Sequence, residues 1–146
     1  MIEFFVPGIP QPGGSKRAFV NKKTGRAIIT EDNVRCRDWR AVVADRATTA
    51  MHGRQPLTGP VWLSIIFYLL RPKGHFGTGI NANKVKPSAP RVPIVRPDCT
   101  KLLRSTEDSL RGICWRDDSQ VAEQHVYRRY AERPGADIKV TLWPSN

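Results

Sequence analysis

The chain has 146 residues, 40% of them apolar, and carries 24 Lys+Arg against 13 Asp+Glu, a net charge of +11. That length and hydrophobic share support one globular domain, residues 1–146, and exclude a disordered chain. The charge points to a polyanionic partner, nucleic acid before membrane, and no stretch approaches the roughly 20 apolar residues of a spanning helix.

In chain order, residues 2–6 are apolar and β-prone and stop at Pro7-Gly8, which predicts a first strand. The start Met1-Ile-Glu lacks the basic n-region of a secretory signal. Residues 11–15 read as a Gly-rich loop ending beside Lys16-Arg17. Residues 18–20 and 27–29 flank Asn21-Lys-Lys-Thr-Gly25, a short hairpin. Thr30 or Asp32 is placed to cap a helix reaching about Ala50, with Val34, Trp39, Val42, Val43, Ala47 and Ala50 at helical spacing. Residues 61–70 hold nine apolar residues in ten and predict a central strand buried on both faces. Residues 71–97 contain five prolines, six Lys/Arg and no acid. A loop of that length is usually functional or disordered; here it is expected to track phosphates. A second helix is predicted over 99–111, closed by Gly112 past its C-terminus, with Leu102, Leu103, Thr106 and Leu110 facing the core. Residues 120–130 and 138–143 alternate as two late strands joined by the turn at 132–135. The expected fold is α/β (α+β): a mixed sheet of about four strands, two main helices and one long basic loop. Cys36, Cys99 and Cys114 form no C-x-x-C pair, so neither a disulfide framework nor a zinc site is expected, and a reducing cytoplasm fits.

The acids are unevenly placed. Five of the 13 lie between Asp98 and Asp118, and none lies between Asp45 and Asp98. A polycation that gathers its carboxylates suggests a hard metal ion, Mg²⁺ with Mn²⁺ as substitute, on a surface that attracts phosphates, and hence phosphodiester chemistry. Thr100, Arg104 and Asp108 are spaced to share one helix face, with Glu107 and Arg111 beside them. Asp117-Asp118 follow a short connection expected to return them to the start of that helix. Taken singly, Asp98 suits an N-cap, Arg104–Asp108 an exposed i,i+4 ion pair, and Asp117-Asp118 a solvated turn; their clustering carries the functional reading. Lys16, Arg17, Arg71, Lys73, Lys84, Lys86, Arg91, Arg96 and Lys101 are the expected phosphate contacts. A loose PD…(D/E)xK pattern, Asp98 with Asp137 and Lys139, is a weaker rival because it leaves Asp117-Asp118 idle. His52, His75 and His125 form no ligand spacing, and Trp39 and Trp62 read as core.

At these residues the chain resembles a known family. Pro97-Asp98-x-Thr-Lys-Leu-Leu-Arg104-Ser-Thr-x-Asp108-Ser-Leu-x-Gly112, then Asp117-Asp118-Ser-Gln120-Val121, is similar to the signature of RusA-type Holliday junction resolvases. So is the start: Gly8-Ile-Pro-Gln-Pro-Gly-Gly-Ser15-Lys16-Arg17, then Lys23-Thr-Gly25 and Trp39-Arg40. The resemblance implies a homodimeric, Mg²⁺-dependent endonuclease that nicks branched DNA symmetrically. It implies Asp98 and Asp118 as metal-binding carboxylates, Asp117 and Asp108 as further acids, and Arg104 in place of the family's catalytic lysine. Thr100 stands where the commoner pattern has Asp, and Glu107 is a possible compensating acid. The competing class is a non-catalytic DNA- or RNA-binding module whose acids are structural.

Overall fold

The computed structural model describes residues 1–14, 16–31 and 33–144; the side chains of Lys16, Thr30 and Glu31 lie outside the described residues. Its elements are β1 (Ile2–Pro7), β2 (Lys16–Val20), β3 (Ala27–Glu31), α1 (Val34–Met51), β4 (Val61–Leu69), α2 (Cys99–Leu110), β5 (Val121–Tyr130) and β6 (Gly135–Leu142). The main sheet has the order β1-β6-β4-β5, and β2-β3 form a separate hairpin. β4 runs antiparallel to β6 and parallel to β5, so the sheet is mixed. The small α+β domain expected from the sequence is present.

Both helices cover one face of this sheet. Trp39, Val43 and Ala47 of α1 and Leu102 and Leu110 of α2 join Leu63, Ile65, Phe67, Ile138 and Val140 in one buried cluster. β4 therefore alternates buried and half-buried residues instead of being buried on both faces. Trp62, Ile66 and Tyr68 point to the face without helices, and Trp62 is half-exposed there rather than in the core. Aromatic and branched residues also suit an uncovered pleated surface, so an apolar run alone does not distinguish one covered face from two.

Three helix details differ from expectation. The cap of α1 is Asn33, whose side chain accepts from the Arg35 amide; Thr30 belongs to β3 and Asp32 lies outside the described residues. The buried stripe of α1 is Cys36, Trp39, Val43, Ala47 and Met51, while Val34 is 76% exposed. Val42, also in the expected stripe, is exposed as well. In α2, Ser105 is buried with Leu102, Thr106 and Leu110, because its hydroxyl has partners: it donates to the Gln11 carbonyl (2.6 Å) and to that of Leu102 (3.0 Å). Gly112 follows α2 at φ +81°, the left-handed position that favours glycine.

Residues 71–97 fold into a cross-braced platform. One single 3₁₀ turn, Lys73–His75, precedes a bridge between Phe76 and Val85, and another, Gly79–Asn81, lies within the segment it closes. The Arg71 guanidinium donates to the Pro90 carbonyl (2.8 Å) and lies 4.4 Å from the centre of the Tyr130 ring. Arg128 of β5 donates to the carbonyls of Pro93, Val95 and Pro97, holding the end of the platform against the start of α2.

Candidate functional site

α2 organises the residues that the sequence singles out. Thr100, Lys101, Arg104 and Asp108 are all exposed, so the predicted polar face of the helix exists. Asp98 is the N-cap, its carboxylate accepting from the Lys101 amide at 2.9 Å. The loop 9–14 lies against this end. Gly13 donates its amide to the Lys101 carbonyl (2.9 Å), and Ser105 holds the Gln11 carbonyl. Gly14 has φ +97°, and a Cβ there would sit 2.5 Å from Nη1 of Arg104. Glycine thus lets Arg104 lie directly over the loop. A cavity of about 570 Å³ opens beside this end, lined among others by Gly13, Asn33, Arg96, Asp98 and Lys101.

The C-terminal end of α2 carries the other acids. Asp118 accepts from Arg111 Nη1 and from Trp115 Nε1, each at 3.1 Å. Trp115 itself is fully buried, so its ring is core while its N–H orients the carboxylate. Asp117 caps a 3₁₀ turn, Asp118–Gln120, in a capping box with Gln120. The Gln120 amide also donates to the Leu57 and Gly59 carbonyls, fixing the turn to the chain before β4. Asp108 pairs with Arg40 of α1 at 3.1 Å instead of with Arg104. Glu107 receives a 2.7 Å hydrogen bond from Gln124. Its carboxyl is pushed up by burial first, then by Asp118 and Asp108, against the opposing effects of Gln124 and Arg111. Asp117 is held low by its bonds to Ser119.

The connection after Gly112 does not bring Asp117-Asp118 back to the start of the helix. It leaves them at the far end, beside Arg111 and Glu107. A helix of 12 residues is roughly 18 Å long, so Asp98 and Asp118 do not share one ion in a single subunit. Among the described residues no three His, Cys, Asp or Glu converge on a common point. Mg²⁺ demands an octahedral oxygen shell, and each of the four acids Asp98, Asp108, Asp117 and Asp118 already has a protein partner. Mg²⁺ is usually held by only one or two carboxylates, with water and substrate phosphate completing its shell.

The expected phosphate contacts divide. Lys73, Lys84, Arg91, Arg96 and Lys101 are exposed. Arg71 is turned inward as a brace, and Lys86 donates to the Gly74 carbonyl at 3.0 Å. Arg17 is exposed on the hairpin; the side chain of Lys16 lies outside the described residues. The rival pair is not assembled as a site: Asp137 accepts from the Tyr68 hydroxyl (2.8 Å) and Lys139 pairs with Glu3 (3.0 Å), both on the uncovered sheet face. Sequence reasoning left Arg40 and Gln124 without roles. Neither has a local signal, since their partners Asp108 and Glu107 lie 68 and 17 residues away. Gln120 was detectable, because Asp-x-x-Gln is a capping-box spacing.

The family model described as Endodeoxyribonuclease RusA matches residues 7–141 of the chain. A protein of Bacillus subtilis (strain 168) carrying the name "Uncharacterized protein YqaN" is 25% identical over 140 residues, covering 95% of this chain and 94% of that protein. No described helix is long and apolar enough to cross a membrane.

Proposed function

The chain belongs to the RusA family of endodeoxyribonucleases, and from that premise we propose that it is a structure-selective DNA endonuclease that resolves four-way junctions by paired nicks in recombination and repair. The observation that carries this reading is the exposed polar face of α2, with Arg104 over the Gly14 loop and carboxylates at both helix ends. Arg104 stays protonated at neutral pH and therefore holds phosphate and offsets developing charge; it is not a proton donor. Arg96 and Lys101 flank Asp98 and bind the strand on either side, with Lys73, Lys84 and Arg91 along the platform. Recognition by phosphate contacts selects branched shape over sequence.

Cleavage is proposed to require Mg²⁺, with Mn²⁺ able to replace it. Because one subunit separates Asp98 from Asp118, each site is proposed to draw Asp98 from one subunit and the Asp118 group from a second copy. A homodimer with two such sites matches the approximate two-fold symmetry of the junction. The direct test compares four-way junctions with linear duplex of the same sequence, with Mg²⁺ and with EDTA. Metal-dependent nicking confined to junctions is the expected result. Junction binding with no nicking in Mg²⁺ or Mn²⁺ would favour a binding module with structural acids.

A further inference from the structure

The cavity beside Asp98 has walls of a distinct kind. Pro10, Pro12, Pro97 and the exposed side chain of Ile9 make it apolar, while Arg96 and Lys101 bring charge to it next to the carboxylate. One polar side chain in it is held at one end only. Asn33 caps α1, so its Oδ1 faces the Arg35 amide (3.2 Å) and its Nδ2 faces away. That nitrogen donates to the Pro12 carbonyl (3.3 Å) and to Gln11 Oε1 (3.1 Å). The Gln11 amide is thereby oriented: its oxygen is taken, and its Nε2 has no hydrogen-bond partner among the described residues. The backbone under it is fixed too. The Gln11 carbonyl accepts from the buried Ser105 hydroxyl at 2.6 Å, and Gly13 packs so closely that a Cβ there would fall 2.9 Å from Ser105 Cβ.

We propose that this cavity takes one unpaired nucleotide of a branched DNA. Its base lies against the proline rings, the base edge accepts from Gln11 Nε2, and its phosphate meets Arg96 and Lys101. This inference rests on the junction reading above and deepens it, by naming the part of the DNA that enters the subunit. A volume of about 570 Å³ is ample for a single nucleotide and lies within the range of small-ligand sites, about 300–1,000 Å³. A base stacked and paired in a duplex gives its faces to its neighbours and its edge to its partner. An unpaired base offers both to a protein. Extruding a base costs free energy, least where its pairing is already broken. Linear duplex therefore resists entry, and a branch point yields. Every base carries an acceptor on its edge, so a lone N–H donor takes any of them. Phosphate contacts along the platform hold either kind of DNA, but only branched DNA fills the cavity.

The test places 2-aminopurine, whose fluorescence is quenched by stacking, at each nucleotide bordering the branch point in turn. Wild-type chain is added in EDTA. No aromatic side chain lines the cavity, so a base held there stays unquenched. At one position or more, fluorescence is expected to rise about threefold or more on binding, with no rise in linear duplex of the same sequence. Gln11→Ala keeps the backbone bond to Ser105 and is expected to lose about half of that rise or more, at near wild-type junction affinity, because phosphate contacts dominate binding. No rise with bound wild type, an equal rise in linear duplex, or an undiminished rise with Gln11→Ala would overturn the proposal. If circular dichroism shows that Gln11→Ala does not fold, Gln11→Glu keeps the acceptor for Asn33 and removes only the donor. The same loss is then expected, and a full rise overturns the proposal. Junction nicking in Mg²⁺, followed separately, distinguishes the two ideas. A Gln11-dependent rise without nicking keeps the nucleotide site and sinks the nuclease reading; nicking without a rise does the reverse.

Discussion

The two ends of α2 are built differently. At the N-terminal end one carboxylate among the described residues, Asp98, sits among cations and glycine: Arg96, Lys101, Arg104 and the Gly13-Gly14 loop. At the C-terminal end four acids, Glu107, Asp108, Asp117 and Asp118, are each tied to an arginine, a glutamine or a turn. The first end is suited to receive phosphate, since a helix N-terminus and fixed cations both favour anions. The second is suited to hold negative charge in place. The helix length separates the two ends, and we propose that they act together across two subunits.

Removing one carboxylate from each end gives the largest expected effects. Asp98→Asn keeps the N-cap, because Asn caps as well as Asp. Asp118→Asn keeps an acceptor for Trp115 and loses only a half-exposed ion pair. Both variants should fold as wild type and bind junctions at least as tightly, yet lose nicking by about a hundredfold or more, on the scale of losing a transition-state electrostatic contact. Strong residual nicking by either in Mg²⁺ and Mn²⁺ would remove that end from the chemistry.

Gly14→Ala acts on the N-terminal end alone. It places a side chain at φ +97° and pushes Arg104 off the loop. A stability loss of about 1 kcal/mol is expected in urea melts, together with a larger loss of nicking than of binding. Equal loss of both would show that Arg104 only binds.

Lys84→Ala tests the platform. Its salt slope for junction binding should fall by about one. Lys86→Ala should fall less, because its ammonium already serves the Gly74 carbonyl. An unchanged slope for Lys84→Ala would take the platform off the DNA.

The smallest effect concerns Glu107 at the C-terminal end. Its folded-state pKa is raised, chiefly by burial. The folded state therefore binds the proton more tightly than the unfolded state, and stability falls as pH rises from the unfolded value through the raised one. Glu107→Gln removes that loss while keeping a partner for Gln124. A gain of a few tenths of a kcal/mol is expected at neutral pH, small because the group is only half-buried, and it should vanish below the unfolded pKa. A loss at neutral pH would mean the charge is needed for packing.

Local features of this chain were legible in its sequence. Gly112 ends α2, the polar face of α2 follows from spacing, and the basic, acid-free segment 71–97 is a single unit. Long-range placement was not. Asp117-Asp118 and Asp98 are close in the chain, but the connection after Gly112 is pinned by Gln120 to residues 57 and 59, which fixes it at the C-terminal end. Arg71 reads as a surface cation because its aromatic partner, Tyr130, arrives from another strand. Val34 and Val42 read as core from apolar periodicity, yet both are exposed, because the buried stripe runs through Cys36, Trp39, Val43, Ala47 and Met51.

The two ends of α2 are proposed to serve one nicking site across two subunits. Mixing inactive Asp98→Asn with inactive Asp118→Asn protein tests it directly, after exchange of subunits. A site shared across the dimer leaves one intact centre in each mixed dimer, so single-strand nicking of junctions should return to a substantial fraction of the wild-type rate, with paired nicking still absent. No recovery, from mixtures shown to contain mixed dimers, would contradict a shared site.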